Sequence, residues 1–323
     1  MTSARLTYAL ETGALVLPEG RIAVFAPPAG ADLTPLDRDR VEIVSRFYPD
    51  AAYWQGLGYK VLQAPEGDYA AALVFLPRAK DAARALIAQA AGCATFLMVD
   101  GQKTDGVDSI LKAVKKIAPD VTVTSKSHGK MFWLAANDFP GWAGQVREVE
   151  GFVTRPGVFS ADGPDKGSRA LVDALPPLAG HVVDLGAGWG YLSRAILSSD
   201  KVTALDLVEA DLTALDCARD NVTDPRAVFH WADATAFRPA TPADVVVSNP
   251  PFHTSRAGDP GLGRAFIKAA AAMLKPTGAF WMVANRHLPY EDALTAAFRE
   301  VEEMGGTPGF KVVRAAKPHR AGR

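Results

Sequence analysis

The residues at 245–255, VVVSNPPFHTS, combine side chains that could hold a reacting amine. Three valines predict a buried strand, and two prolines would end it in a rigid corner because proline fixes φ and donates no backbone hydrogen bond. Asn249 offers a side-chain carbonyl and Pro250 a backbone carbonyl, which together could accept both hydrogens of one exocyclic NH2 group. Such contacts would pull a conjugated amine toward tetrahedral geometry and direct its lone pair at an electrophile. Phe252 could stack on the base that carries the amine.

Histidines give weaker signals. His253 follows the corner and is expected to contact the substrate, although capping a turn is the simpler role for it. His230, beside Trp231, is expected to pack within a strand. No combination of His, Cys and acidic residues has the spacing of a metal site, so we expect no metal.

A glycine-rich turn forms a second candidate site. The sequence VVDLGAGWG places Gly186, Gly188 and Gly190 directly after a predicted strand and before a predicted helix. A dinucleotide fingerprint has the spacing G-x-G-x-x-G, but its last position is occupied here by the bulky Tyr191. A turn of this kind can also serve packing alone, so the acids around it decide which ligand it suits.

Three acids point to the ligand. Asp184, just before the turn, would repel a pyrophosphate and would suit an ammonium group. Asp206 lies 20 residues beyond Gly186, a spacing at which a carboxylate meets a ribose diol, and we take it to end the next strand. Asp233, after the third strand, could accept a hydrogen bond from an adenine amino group. A ligand with an amino-acid end and an adenosine end fits all three, so S-adenosylmethionine is the predicted cofactor.

Strands and helices alternate along the C-terminal half, which predicts an α/β fold with a mostly parallel sheet covered on both faces. Residues 290–306 are expected to form a helix before the last strand, residues 309–316. The N-terminal half has a similar rhythm, but none of its strands ends in a glycine-rich turn. We place the boundary near Ala143, giving domains 1–143 and 144–323, and the similar halves suggest an internal duplication.

Composition limits the function classes. The 323 residues are 48% hydrophobic and 22% charged with a net charge of −1, which fits a globular protein and shows no overall basic character. A local basic stretch lies at residues 112–130. Two cysteines cannot build a disulfide framework, the N-terminus lacks a signal-peptide pattern, and no apolar run approaches the roughly 20 residues of a membrane span. We therefore expect a cytoplasmic protein without a membrane partner.

The chain resembles the ribosomal RNA guanine-N2 methyltransferases that act on the small subunit. Besides NPPF followed by His253, the similar segments are residues 155–175, 183–193, 283–292 and 309–316, and residues 99–114 resemble that family's first domain. The resemblance implies a class I methyltransferase: a seven-stranded Rossmann-like sheet with the last strand antiparallel. It also implies that a degenerate methyltransferase-like domain without a cofactor site precedes this sheet.

The resemblance further implies the activity, S-adenosylmethionine-dependent methylation of a guanine N2 amine in ribosomal RNA. Residues 159–168, with Gly167, are implied to close over the methionine end of the cofactor, and Trp189 departs from the small residue usual at its position. The implied target-base residues are Asn249, Pro250 and Phe252, and the implied cofactor residues are Asp184, Gly186, Gly188, Gly190, Asp206, Asp233 and Asn249. Expected partners are ribosomal RNA or the small ribosomal subunit, with the N-terminal domain gripping RNA or supporting the fold of a monomer.

Rival functions remain open. The same tetrapeptide frame serves adenine-N6 and protein glutamine-N5 methylation, although the glutamine enzymes usually carry Tyr where this chain has Phe252. A non-catalytic RNA-binding or assembly factor with a vestigial methyltransferase fold is the alternative from another class. The intact Asp184, the glycines, Asp206 and Asn249 favour an enzyme.

Overall fold

A computed structural model of the protein describes residues 4–251 and 260–319. The chain divides into two compact units, Met1–Val146 and Arg147–Arg323. The division lies three residues beyond the boundary expected from the sequence, within the same Gly- and Pro-containing connection. Each unit is built around a seven-stranded sheet of its own.

The N-terminal sheet has the strand order β3-β2-β1-β4-β5-β7-β6. Its strands are β1 (Ile22–Phe25), β2 (Val41–Val44), β3 (Lys60–Leu62), β4 (Tyr69–Phe75), β5 (Ala94–Gln102), β6 (Thr122–Lys126) and β7 (Gly129–Ala135), and its helices are α1 (Ala4–Glu11), α2 (Tyr48–Gly56), α3 (Lys80–Ala91) and α4 (Val107–Val114). β7 pairs antiparallel with β5 and β6, and the other pairs are parallel.

The C-terminal unit opens with a small hairpin of β8 (Arg147–Val149) and β9 (Phe152–Thr154). The strands of its large sheet are β10 (Gly180–Leu185), β11 (Val202–Glu209), β12 (Ala227–Trp231), β13 (Ala243–Ser248), β14 (Leu274–Asn285), β15 (Phe298–Gly306) and β16 (Phe310–Pro318), and the helices are α5 (Lys166–Ala174), α6 (Tyr191–Ile196), α7 (Leu212–Asn221), α8 (Pro260–Met273) and α9 (Glu291–Ala297). Its order, β12-β11-β10-β13-β14-β16-β15, repeats the N-terminal order position for position. The repeated order agrees with the duplication suggested by the sequence.

The end of the chain confirms one sequence prediction and corrects another. β16 lies between β14 and β15 and pairs antiparallel with both, as expected for the last strand. The long helix predicted for residues 290–306 is wrong, because α9 ends at Ala297 and β15 begins at the next residue. Arg, Glu and Met in this segment favour a helix, but the free edge of β16 offers a continuous row of hydrogen bonds that local propensity does not anticipate.

Both faces of the C-terminal sheet are buried. Val183 and Val246 pack with Ile267 and Met273 of α8 on one face, whereas Leu205 and Val247 pack with Leu171 of α5 on the other. Burial on both faces explains why the central parallel strands are almost continuously apolar. Because both faces are covered, a ligand is expected at the loops that follow the carboxyl ends of β10, β11, β12 and β13, which meet at one edge of the sheet. Over the described part of the chain, no helix combines the length and apolarity needed to cross a membrane.

Candidate active site

A cleft in the C-terminal unit brings three predicted elements together: the glycine turn, Asn249 and the segment 159–168. These elements are far apart in sequence and meet because β10 and β13 are neighbours in the sheet. The cleft is lined by Phe159, Ser160, Asp165, Ser168, Gly186, Ala187, Gly188, Trp189, Tyr191, Leu192 and Asn249.

The three glycines of the turn have two different roles. Gly186 and Gly188 line the cleft with positive φ values of 80° and 56°, and a Cβ on Gly188 would project into open space. Gly190 also has a positive φ, but a Cβ there would lie 2.9 Å from Val222 and 3.4 Å from Ala218. Gly190 therefore lets α7 approach the turn. Its contact with the cofactor remains a prediction.

Asp184 is completely buried at the end of β10. Ser193 donates a hydrogen bond of 2.6 Å to its Oδ2, while Oδ1 has no hydrogen-bond partner among the described residues. Burial raises the pKa of Asp184 to about 7; the bond from Ser193 lowers it in part, and the nearby Glu209 raises it. A buried carboxylate oxygen without a partner is costly, so a cationic group on a ligand would be stabilised there.

Asp206 does not end its strand, because β11 continues to Glu209. Its two carboxylate oxygens meet His230 Nε2 at 2.7 Å and His181 Nε2 at 2.8 Å, which joins three adjacent strands. Burial alone would raise the pKa of Asp206, but the hydrogen bonds from His230 and His181 lower it below its usual value. The prediction that Asp206 lies at the strand end is wrong, and its carboxylate ties the sheet. Within the described ranges, no group of three or more His, Cys or acidic residues is arranged to hold a metal ion.

Glu209 is the acid at the carboxyl end of β11. Its Oε2 accepts a hydrogen bond of 2.8 Å from the backbone N–H of Gly188, and its Oε1 accepts one of 2.8 Å from that of Asp211. Burial raises the pKa of Glu209, and these backbone bonds partly oppose the rise. Glu209 was not predicted from the sequence. Asp206, Glu209 and Asp211 follow one another closely, and only the length of β11 shows which of these acids lies at the carboxyl end of the strand.

Asp233 lies in the turn after β12, at the same edge of the sheet. Its Oδ1 accepts hydrogen bonds from the backbone N–H of Thr235 at 2.8 Å and from the Thr235 hydroxyl at 2.7 Å. These bonds orient the carboxylate. Its contact with an adenine remains a prediction.

Asn249 follows β13 with its amide held in a defined orientation. The Nδ2 atom donates to Asp165 Oδ2 at 3.0 Å and to Ser168 Oγ at 2.8 Å, and the carbonyl oxygen has no donor among the described residues. Pro250, directly after it, is buried. The orientation is the one required to accept a hydrogen from an amine. Phe252 and His253 lie outside the described residues, so their roles stay predictions.

Gly167 lies in the first turn of α5, where its N–H donates to Asp165 Oδ2 at 2.9 Å. A Cβ on Gly167 would lie 3.1 Å from the ring of Phe310. This position requires a small residue for packing and uses the amide as part of the helix cap. The cofactor contact expected for Gly167 remains a prediction, and its neighbours Asp165 and Ser168 line the cleft.

Trp189 ties the segment 159–168 to the glycine turn. Its ring is buried beside Phe152, with the ring centres 5.0 Å apart, and its Nε1 donates to the Phe159 carbonyl at 2.8 Å. Asn221, at the end of α7, donates from Nδ2 to the carbonyls of Trp189 and Val153 at 2.8 and 2.9 Å. Trp189, whose size departs from the family pattern, thus supports one wall of the cleft. Asn221, which holds the backbone of Trp189, was not predicted from the sequence.

Comparison with known proteins agrees with this geometry. The family model described as methyltransferase small domain matches residues 150–314. Ribosomal RNA small subunit methyltransferase C of Hahella chejuensis is 28% identical, with coverage of 92% of this chain and 94% of that protein. Ribosomal RNA large subunit methyltransferase G of Pseudomonas entomophila is 36% identical over 57% of this chain and 51% of that protein.

Among solved structures, a T. thermophilus 16S rRNA N2 methyltransferase in complex with AdoMet and guanosine is similar over both units. The two share a TM-score of 0.81 at 25% identity, with coverage of 94% of this chain and 90% of that chain. The match includes the N-terminal unit, which the family model leaves out. From its sheet, its glycine turn and these similarities, the chain belongs to the methyltransferase small domain family.

Proposed function

We propose that this protein transfers a methyl group from S-adenosylmethionine to the exocyclic N2 amine of a guanine in small-subunit ribosomal RNA. The observation that carries the proposal is the amide of Asn249, whose carbonyl oxygen lies beside the cleft without a donor in the part of the chain that the structure describes. An amine acceptor in that position suits a nucleobase NH2 group. The similar T. thermophilus enzyme has been solved in complex with AdoMet and guanosine.

The residues present fit the cofactor. The Oδ1 of Asp184, which lacks a hydrogen-bond partner in residues 4–251 and 260–319, suits an ammonium group, and the open space at Gly188 leaves room for the ligand chain. Glu209, in place of Asp206, would hold the ribose hydroxyls, and Asp233 the adenine amino group. When bound, S-adenosylmethionine supplies an electrophilic methyl group on a sulfonium.

The chain's own residues prepare the target nitrogen. The carbonyl oxygens of Asn249 and Pro250 would accept its two hydrogens, which draws the lone pair out of conjugation with the purine ring. No base has to remove a proton before attack, because the proton becomes acidic only once the nitrogen is methylated. A base inside a duplex cannot reach this corner, so the guanine must be unpaired or flipped out, with Phe252 as its stacking partner.

The N-terminal unit would grip the RNA. The turn between β6 and β7, together with Lys103, surrounds a surface depression of about 370 Å³. Lys103 and Lys126 are exposed there, and Lys126 Nζ lies 4.8 Å from the centre of the Tyr8 ring. Lys130 pairs with Asp108 at 2.6 Å, which leaves this surface with an excess of positive charge suited to phosphates.

The test is direct transfer. Purified protein and labelled S-adenosylmethionine are incubated with small and large ribosomal subunits from cells that lack the protein, and the RNA is digested to nucleosides for mass spectrometry. We expect N2-methylguanosine in small-subunit RNA. Methyladenosine, methylated glutamine in protein, label confined to the large subunit, or no transfer with intact cofactor binding would each contradict the proposal. The large-subunit sample matters because the chain also resembles ribosomal RNA large subunit methyltransferase G over 57% of its length.

A further inference from the structure

We infer that Asp165 and Ser168 are positioning residues for methyl transfer, acting through Asn249 to determine which atom of its amide faces the target amine. The inference rests on the proposed function. It concerns Asp165, the N-cap of α5, and Ser168 in its first turn, and it goes beyond the closure over the cofactor expected for the segment 159–168.

A primary amide presents an acceptor and a donor of nearly equal size. Rotation of the Asn249 side chain by a half turn would exchange them and place an NH2 group against the target NH2 group. Two donors cannot satisfy one another, so the exchanged orientation would not orient the guanine amine. Methyl transfer therefore depends on which orientation the protein holds.

The surroundings of Nδ2 settle that choice. The distances from Nδ2 are 3.0 Å to Asp165 Oδ2 and 2.8 Å to Ser168 Oγ, so both amide hydrogens have acceptors. Asp165 Oδ2 is itself held by the backbone N–H groups of Gly167 and Ser168, at 2.9 and 3.1 Å, as the cap of α5. Asp165 Oδ2 thus accepts hydrogen bonds both from the N-terminus of α5 and from the amide of Asn249.

The two acceptors contribute differently. An ionised carboxylate can only accept hydrogen bonds, so an exchanged Asn249 would set its carbonyl oxygen against the lone pairs of Asp165. The Ser168 hydroxyl can donate or accept and therefore tolerates either orientation. Asp165 selects the orientation, and Ser168, which is buried, holds the amide in place.

The experiment is a double-mutant cycle on the full-length protein with small ribosomal subunits. The single-turnover rate at saturating cofactor is measured for Ser168→Ala and Asp165→Ala, each with Asn249 present and in the Asn249→Ala background. With Asn249 present, we expect Ser168→Ala to lower the rate about fivefold and Asp165→Ala about tenfold or more, as for lost hydrogen bonds to a charged or polar partner. In the Asn249→Ala background neither should lower it further.

Two variants sharpen the result. Asp165→Asn should recover most of the rate that Asp165→Ala loses, since Asn caps helices as well as Asp does and its capping oxygen would stay in place to accept from Asn249 Nδ2. Ser198→Ala, at an exposed hydroxyl in the turn after α6 that donates to the Ala195 carbonyl, controls for loss of a serine in the same unit.

Equal losses in both backgrounds would mean that Asp165 and Ser168 only support the fold, and the inference would be overturned. A loss seen as weaker cofactor binding with an unchanged saturated rate would make them cofactor ligands, which also overturns it. A wild-type protein that methylates no guanine is a separate outcome, since it removes the proposed function before the variants are compared.

Discussion

At the scale of single residues, three carboxylates of β10 and β11 differ in what their oxygens meet. Asp184 keeps one buried oxygen without a described partner, Asp206 is bound by two histidines, and Glu209 faces the glycine turn. Asp184 and Asn249 could be found from the sequence because each stands beside an unmistakable motif. Glu209 could not, because its position depends on how far β11 pairs with β10 and β12, and that length is a property of the sheet.

Replacing Glu209 and Asp206 with alanine, one at a time, should affect cofactor binding in the first case and stability in the second. Glu209→Ala should weaken S-adenosylmethionine binding by about 1.5–3 kcal/mol, roughly ten- to a hundredfold, through loss of a charged hydrogen-bond acceptor. Asp206→Ala should leave affinity nearly unchanged and lower the free energy of unfolding by about 1–3 kcal/mol, because His181 and His230 lose their shared partner. Calorimetry and denaturant unfolding measure the two quantities. A tenfold loss of affinity in Asp206→Ala at unchanged stability would instead show that Asp206 holds the ribose, as expected from the sequence.

The buried carboxyl of Asp184 should make both stability and binding depend on pH. A pKa raised to about 7 means that the folded protein holds this proton where the unfolded chain has released it. The resulting stabilisation is present below the unfolded pKa of about 4 and is lost as pH rises through about 7. Asp184→Asn should flatten this part of the stability profile, measured by denaturant unfolding between those limits.

Cofactor affinity should change in the opposite sense. An ammonium group binds the ionised carboxylate, so affinity should rise as pH increases through about 7 in the wild-type protein and less so in Asp184→Asn. Calorimetric titrations at several pH values compare the two proteins directly. Identical pH profiles would show that Asp184 does not meet the cofactor's charge.

At the scale of elements, the alternation of strands and helices and the glycine turn predicted β10 and β13, whereas the antiparallel direction of β16 was implied by the family resemblance. β15 escaped prediction because most of its side chains are exposed and charged, and only its pairing with β16 makes it a strand. Exposed, charged residues are typical of an edge strand and carry no periodic signal. The hydrogen bond between Asn249 and Asp165, the N-cap of α5, was not predicted either, because the two residues lie 84 positions apart in the sequence.

The β6–β7 hairpin should affect RNA binding without affecting chemistry. The double variant Lys103→Ala, Lys126→Ala should raise KM for ribosomal subunits several-fold, reduce the salt dependence of binding, and leave cofactor affinity and the saturated rate unchanged. Lys60→Ala, on β3 at the opposite edge of the same sheet, is the matched control. If both proteins show the same KM, the RNA is held elsewhere.

At the scale of the whole molecule, two sheets share one strand order but only one carries a cofactor turn. β10 leads into Gly186 and Gly188, whereas β1 leads into residues 26–30, APPAG, without that turn. We therefore expect one S-adenosylmethionine per chain in calorimetric titration of the full-length protein. Binding of two per chain would show that the N-terminal unit has kept a cofactor site.

The central claim is that the Asn249 carbonyl orients the target amine. The most direct measurement is single-turnover methyl transfer to the small ribosomal subunit by Asn249→Ala, with S-adenosylmethionine affinity measured on the same protein. We predict nearly unchanged affinity and a rate lower by about a hundredfold, roughly 2.7 kcal/mol, as for loss of one oriented hydrogen bond in a transition state. Transfer at the wild-type rate would contradict the account and leave the corner after β13 as a stiff strand end.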